Sequence, residues 1–232
     1  MKRGAYIIGT DTDIGKTFVS AVILKSLKNK GINATYFKPV LSGCEKIGGE
    51  IIPKDCEIVC DIANLKKDYK KMVPYSLINP YSPHLASEIE EVNIDISKII
   101  NHYRILEREH DFILTEGCGG IICPIYFGEK EIMQIDIIKK IDSPIFLVIS
   151  SDIGTINHTM LTIKFLEQTG LYLDGIIFNR FDTKNIIHRD NLKTIKKLSK
   201  IENILTIKEE KDLKGLDLDK IYEFIKGAST KY

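Results

Sequence analysis

An α/β fold, with a mainly parallel sheet flanked by helices on both faces, is predicted by three features of this 232-residue chain. Short apolar runs of strand type alternate with stretches of helical periodicity, the pattern of a parallel sheet covered on two sides. A glycine-bearing turn joins the first such run to the first such helix. Every unusual polar cluster follows a strand: residues 9–17, 38–43, 116–120, 150–157 and 179–182. In open parallel sheets ligands bind beyond the carboxyl ends of the strands, so these clusters point to one composite site.

In order, the apolar run 4–8 (GAYII) predicts the first strand and 18–27 (FVSAVILKSL) the first helix. Strands follow at 34–37, 111–115, 144–150, 175–179 and 204–207. Helices are predicted at 56–65, 94–109, 132–141, 156–169, 185–198 and 217–225. Residues 72–90, with Pro74, Pro80 and Pro83, read as one long loop. Nothing resembles a repeat or linker, and residues 1–232 are taken as a single domain.

Composition narrows the function. A formal net charge of +1 gives no bulk attraction to nucleic acid, and no partner of that kind is expected. The opening MKRGAYIIG is too short for a signal segment or a membrane span. Five cysteines without a CxxC pair fit reduced thiols and a cytoplasmic location. His84, His102, His110, Cys56 and Cys60 have no standard zinc spacing.

The junction itself reads Gly9-Thr10-Asp11-Thr12-Asp13-Ile14-Gly15-Lys16-Thr17, a P-loop with five residues between its glycines where four are usual. Backbone N–H groups of such a turn, at a helix N-terminus, bind polyphosphate. Lys16 is placed to reach the terminal phosphates and the Thr17 hydroxyl to ligate Mg²⁺. This predicts P-loop NTPase architecture and a nucleoside triphosphate as ligand. Lys38 stands at the next strand end, beside that phosphate site. Glu116, in Glu116-Gly117-Cys118-Gly119-Gly120, is a strand-end carboxylate of the kind that handles Mg²⁺, and its glycines permit close backbone approach. Spacing alone makes Asp55 an N-cap of helix 56–65. The start of helix 156–169 offers free N–H groups to an anion. Asn179-Arg180-Phe181-Asp182 is similar to the base-reading Asn-Lys-x-Asp of GTPases.

Taken together, the P-loop, Lys38-Pro-Val-Leu-Ser-Gly43, Asn79-Pro-Tyr-Ser-Pro-His84, Glu116-Gly-Cys-Gly-Gly120 and Ile156-Asn-His-Thr-Met-Leu-Thr162 resemble the dethiobiotin synthetase family, from about residue 4 to about 182. The resemblance implies an ATP- and Mg²⁺-dependent ligase that joins CO₂ to 7,8-diaminopelargonic acid. It implies a carbamate, then a carbamic–phosphoric anhydride, then ring closure with release of ADP and phosphate. By the same resemblance Lys16 and Lys38 are catalytic. Asp13, Ile14, Gly15, Lys16, Thr17, Phe18, Asp55, Glu116, Gly117, Cys118, Gly119 and Asn179 would bind the nucleotide. Thr17, Asp55 and Glu116 would carry Mg²⁺, which replaces the cap reading of Asp55. Thr12, Lys38, Ser42, Gly154, Thr155, Ile156 and Asn157 would bind the diamine, the last four from the other subunit of a homodimer. A Gly-x-Ile-Pro element common late in the family is replaced by residues 203–210 (NILTIKEE), so ATP, CTP and GTP stay open. The tail 211–232 matches nothing in the family. Partition-type P-loop ATPases are the main rival, but Asp11, Thr12 and Asp13 replace the signature lysine and glycines of their loop.

Overall fold

Why the strand runs are apolar on every residue is seen at β1 (Gly4–Gly9), which is buried throughout and has a strand on each side. The computed structural model describes residues 4–208 and 215–228. After β1 come α1 (Lys16–Asn29), β2 (Ala34–Phe37), β3 (Val40–Leu41), the hairpin β4 (Glu45–Ile47) and β5 (Glu50–Ile52), α2 (Lys54–Ala63), α3 (Tyr69–Met72), β6 (Tyr75–Ser76), α4 (Pro83–Ile89) and α5 (Ile96–Glu109). The second half holds β7 (Phe112–Glu116), β8 (Pro124–Tyr126), β9 (Ile132–Met133), α6 (Gln134–Ile141), β10 (Ile145–Ile149), α7 (Thr155–Gln168), β11 (Gly175–Phe178), α8 (Ile186–Ser199), β12 (Ile204–Thr206) and α9 (Leu218–Ala228).

Among the described residues six strands form the central sheet in the order β12-β11-β10-β1-β7-β2, every pair parallel. Because side chains alternate along a strand, β1 feeds two cores. Ala5 and Ile7 pack with α1, α2 and α9 on one face, while Tyr6 and Ile8 pack with α5, α6 and α7 on the other. Each such Ile is fully buried, worth about 1.5–3 kcal/mol against exposure. Register sets the site. Ile7 of β1 lies opposite Glu116 at the end of β7, and Phe37 of β2 lies opposite Thr115, so the loops after all three strands emerge side by side.

Three expectations are corrected. Residues 72–90 are not one loop, because β6 pairs in parallel with β3 and Pro83 opens α4, where a missing N–H costs nothing. The helix predicted from 132 starts at Gln134, since Ile132 and Met133 pair with β8. Asp55 is not a cap: Pro53 holds that position, and Asp55 lies inside the first turn of α2. The expected C-terminal helix forms as α9, whereas residues 1–3, 209–214 (the end of the 203–210 stretch and the start of the 211–232 tail) and 229–232 lie outside the described residues. Among the described residues no helix is long and apolar enough to cross a membrane.

Candidate active site

Side by side at the carboxyl edge, the loops after β1, β2 and β7 enclose a cavity of about 1020 Å³. The P-loop contributes Thr12, Asp13, Gly15, Lys16, Thr17 and Phe18, and the segment after β2 contributes Lys38 and Ser42. Asp55 enters from α2, and Glu116, Cys118 and Gly119 follow β7.

The P-loop turn depends on left-handed backbone at Asp13 (φ 56°) and Gly15 (φ 90°). A Cβ at Gly15 would stand 2.1 Å from Asn179 Nδ2, so both the angle and the space demand glycine there. Asn179 is buried behind the loop and donates from Nδ2 to the Ile14 carbonyl at 2.9 Å. Lys16 Nζ donates to the Asp11 carbonyl at 2.7 Å and the Gly119 carbonyl at 2.9 Å. Burial, and then the charge of Lys38, pull the Lys16 ammonium below the usual lysine range.

Glu116 is the centre of the charged cluster. Its fully buried carboxylate accepts from Thr17 Oγ1 at 3.1 Å, Ser20 Oγ at 2.7 Å and Lys38 Nζ at 2.5 Å. Lys38 Nζ also meets Asp55 Oδ2 at 3.1 Å. Burial alone would lower the Lys38 pKa, but Glu116 and Asp55 together outweigh it and hold the ammonium above the ordinary lysine value. A lysine so held is a fixed cation, not a base. Cys118 faces the same cavity, and burial keeps its thiol protonated by raising its pKa despite the two lysines nearby.

The oxygen donors of Thr17, Asp55 and Glu116 are hard and lie close together: Thr17 Oγ1 is 3.1 Å from Glu116 Oε1, and the Lys38 ammonium meets both carboxylates. That chemistry fits Mg²⁺, which uses few protein ligands and fills its octahedron with water and phosphate oxygens. Among the described residues no group of three or more His, Cys, Asp or Glu side chains could hold a metal unaided.

Some expected residues stand elsewhere. Ile14 and Gly117 support the cavity from behind: Gly117 N–H donates to the Ile7 carbonyl, and a Cβ on Gly117 would meet Gln134 Oε1 at 2.4 Å. Gly154, Thr155, Ile156 and Asn157 open α7 beyond β10 and do not line this cavity within the chain. Gly154 and Asn157 are exposed, and Ile153 beside them is 84 % exposed.

Several contributors were not singled out from the sequence. Ser20 lies three residues after Thr17, on the same face of α1, a spacing that foretells a shared partner. Buried Gln134 shapes the loop after β7, accepting from Cys118 N–H and donating to the Gly120 carbonyl, and no local pattern announced it. Cys123 also lines the cavity, beside residues of two elements that were quoted from the sequence: Pro80, Tyr81, Ser82 and Pro83 of residues 79–84, and Arg180 of residues 179–182.

The chain is similar to known proteins in sequence and in fold. A family model described as an AAA domain matches residues 3–216. The ATP-dependent dethiobiotin synthetase BioD of Clostridium perfringens is 52% identical over 227 residues, covering 98% of this chain and 100% of the relative. That of Clostridium novyi is 46% identical over 91% of this chain and 90% of its own length. Among solved structures, a ParA family ATPase from Chlorobium tepidum superposes with a TM-score of 0.59 at 16% identity, covering 99% of this chain and 94% of that one. The MinC:MinD cell division protein complex of Aquifex aeolicus gives 0.54 at 16% identity, over 98% and 94%. At such identities the structures show the fold alone.

Proposed function

The chain belongs to the dethiobiotin synthetase family and is an ATP-dependent ligase of biotin biosynthesis; from that premise we propose how its residues divide the work. The substrates in this reading are 7,8-diaminopelargonic acid, CO₂ and ATP. One amine adds to CO₂ to form a carbamate, losing a proton. A carbamate oxygen attacks the γ-phosphorus and ADP leaves, giving a carbamic–phosphoric anhydride. The second amine then attacks the carbonyl carbon, the ring closes, and phosphate departs.

Each step moves negative charge and none needs a protein nucleophile, so cations and N–H donors carry the catalysis. The observation that supports this reading is the Lys38 ammonium, buried and locked between Glu116 and Asp55 at the cavity floor. It supplies a positive charge where the carbamate and the transferring phosphoryl group would meet. Lys16, freed from the Asp11 carbonyl, turns to the β- and γ-phosphates. Thr17, Asp55 and Glu116 would hold Mg²⁺, which when bound neutralises phosphate charge. Asp13 to Phe18 with Gly117 to Gly119 surround the phosphates, and Asn179 serves the base end. Thr12 and Ser42 hold the diamine near its reacting amines.

The start of α7, residues Gly154 to Asn157, where Gly154 and Asn157 are exposed, reaches the far carboxylate of a diamine bound in the partner's cavity of a homodimer. Its free N–H groups and positive helix end suit an anion. The reading takes residues 1–232 as one domain.

ADP release by the purified protein with Mg²⁺-ATP and bicarbonate, with and without the diamine, tests the proposal. Diamine-dependent release with dethiobiotin seen by mass spectrometry is the expected result. Release that ignores the diamine, repeated with CTP and GTP, would sink it.

A further inference from the structure

Helix α8 takes no part in the cavity, yet two of its side chains hold the turns at the ends of β10 and β11. His188 and Asn191, three residues apart on one face, are both buried. His188 Nδ1 accepts from the Asp182 N–H at 2.9 Å, which leaves its proton on Nε2, 3.2 Å from Asp152 Oδ1. Asn191 Nδ2 donates to the Ser151 carbonyl at 2.9 Å and to the Asp152 carbonyl at 3.1 Å. Ser151 Oγ donates in turn to the Asn179 carbonyl at 2.8 Å, joining the two turns directly.

These turns carry different duties. The one after β11 begins with Asn179, which fastens the P-loop through the Ile14 carbonyl. The one after β10 runs from Ser151 and Asp152 into Gly154, the left-handed N-cap of α7. Turn backbone of this kind has no strand partner, so side chains must satisfy it. A single imidazole contacting both turns fixes them relative to each other.

We propose that His188 and Asn191 are positioning residues that hold the nucleotide-base turn and the carboxylate-binding start of α7 in one register, so that neither binding end can shift alone. The assignment rests on the functional reading above for what each turn binds. Neither residue touches a reacting atom, so their effect is on binding and not on the chemical step.

Partial replacements of the imidazole separate its two contacts. In His188→Asn the side-chain oxygen takes the place of Nδ1 and keeps the Asp182 bond while losing Asp152. In His188→Gln the amide nitrogen takes the place of Nε2 and keeps Asp152 while losing Asp182. Affinity for adenylyl imidodiphosphate by calorimetry, diamine KM, kcat and thermal midpoint are measured for both variants and for Asn191→Ala.

His188→Gln is expected to weaken the nucleotide analogue about fivefold, the effect of one ordinary hydrogen bond, with diamine KM within about twofold of wild type. His188→Asn is expected to show the reverse, and Asn191→Ala to raise diamine KM. In all three kcat at saturation stays within about twofold. Equal shifts of both constants, or lower midpoints with both constants unchanged, would mean that α8 merely supports the fold and would overturn the proposal. Wild-type protein lacking diamine-dependent ADP release would instead defeat the functional reading. The nucleotide arm would still decide the inference, which fails if the Gln and Asn variants bind the analogue equally.

Discussion

The cluster around Glu116 and the pair of turns beneath α8 handle polar groups in opposite ways. Around Glu116 the charges are already compensated: buried Lys38 reaches two carboxylates within 3.1 Å, and buried Glu116 accepts two neutral hydroxyls besides. Around the turns the bonds are mostly to neutral backbone, and the α7 start beside them is open to solvent. In the proposed reading the difference follows from what each would do. A site for charge transfer has to exclude water, and a buried carboxylate without a cation costs several kcal/mol, so Lys38 must be in place before any substrate. A site that only fits a distant carboxylate can leave its N–H groups hydrated until the anion arrives, and needs fixed geometry instead.

Breaking the charged side should have the largest effect. Lys38→Ala is expected to lower diamine-dependent ADP release at least about a thousandfold while nucleotide-analogue affinity changes little. Wild-type-like turnover would remove Lys38 from the mechanism. The same change strands Glu116, with an expected stability loss of about 3–5 kcal/mol.

The pH dependence of that loss has a definite sign. The Lys38 pKa is raised in the folded state, so its contribution is complete below the unfolded lysine value, about pH 10.4, and is lost as pH rises toward the folded value. Thermal midpoints between pH 8 and 11 should therefore fall more steeply for wild type than for Lys38→Ala above pH 10. Parallel curves would contradict the charged-lysine account.

Gly15→Ala strikes where the two regions meet, since its Cβ would displace Asn179 and strain a φ of 90°. A loss of about a hundredfold in nucleotide affinity is expected, and calorimetry showing tight binding would refute the need for glycine. On the neutral side, Asn157→Ala should raise diamine KM about tenfold without touching nucleotide affinity, by loss of one charge-assisted bond. Unchanged KM would argue against the α7 start as a carboxylate site. Smallest of all, Ser20→Ala removes one of three donors to Glu116, with kcat expected to fall about fivefold and binding constants to hold. A loss as large as that of Lys38→Ala would show that Ser20 does more than orient the carboxylate.

Sequence reading succeeded best where one residue type answers one local demand. Consecutive apolar residues in a parallel strand and a Gly-Lys-Thr at a strand–helix junction obey rules that act within a few positions. Lys38 and Glu116 were legible because strand ends in such sheets meet at one edge. Gln134 and His188 were not, since each acts on backbone brought near only by folding. Asp55 shows how local rules mislead: an acidic residue at the start of α2 looks like a cap, but its carboxylate turns to a lysine 17 residues earlier. The short pairing of β3 with β6 was hidden for the same reason, as two-residue strands have no period to detect.

One consequence concerns how the chain reaches its folded state. The bond from Lys16 to Gly119 spans 103 residues, that from Thr17 to Glu116 spans 99, and that from Asn179 to Ile14 spans 165. No contiguous fragment short of most of the chain contains the P-loop and its fastenings together. Loop-closure entropy makes such distant parallel pairings slow to form, so the nucleotide pocket matures only with the central strands aligned. Nucleotide added to refolding protein then has nothing to grip in early compact species, and pulls on the equilibrium only through the finished sheet. Nucleotide binding followed against time thereby becomes a clock for global folding.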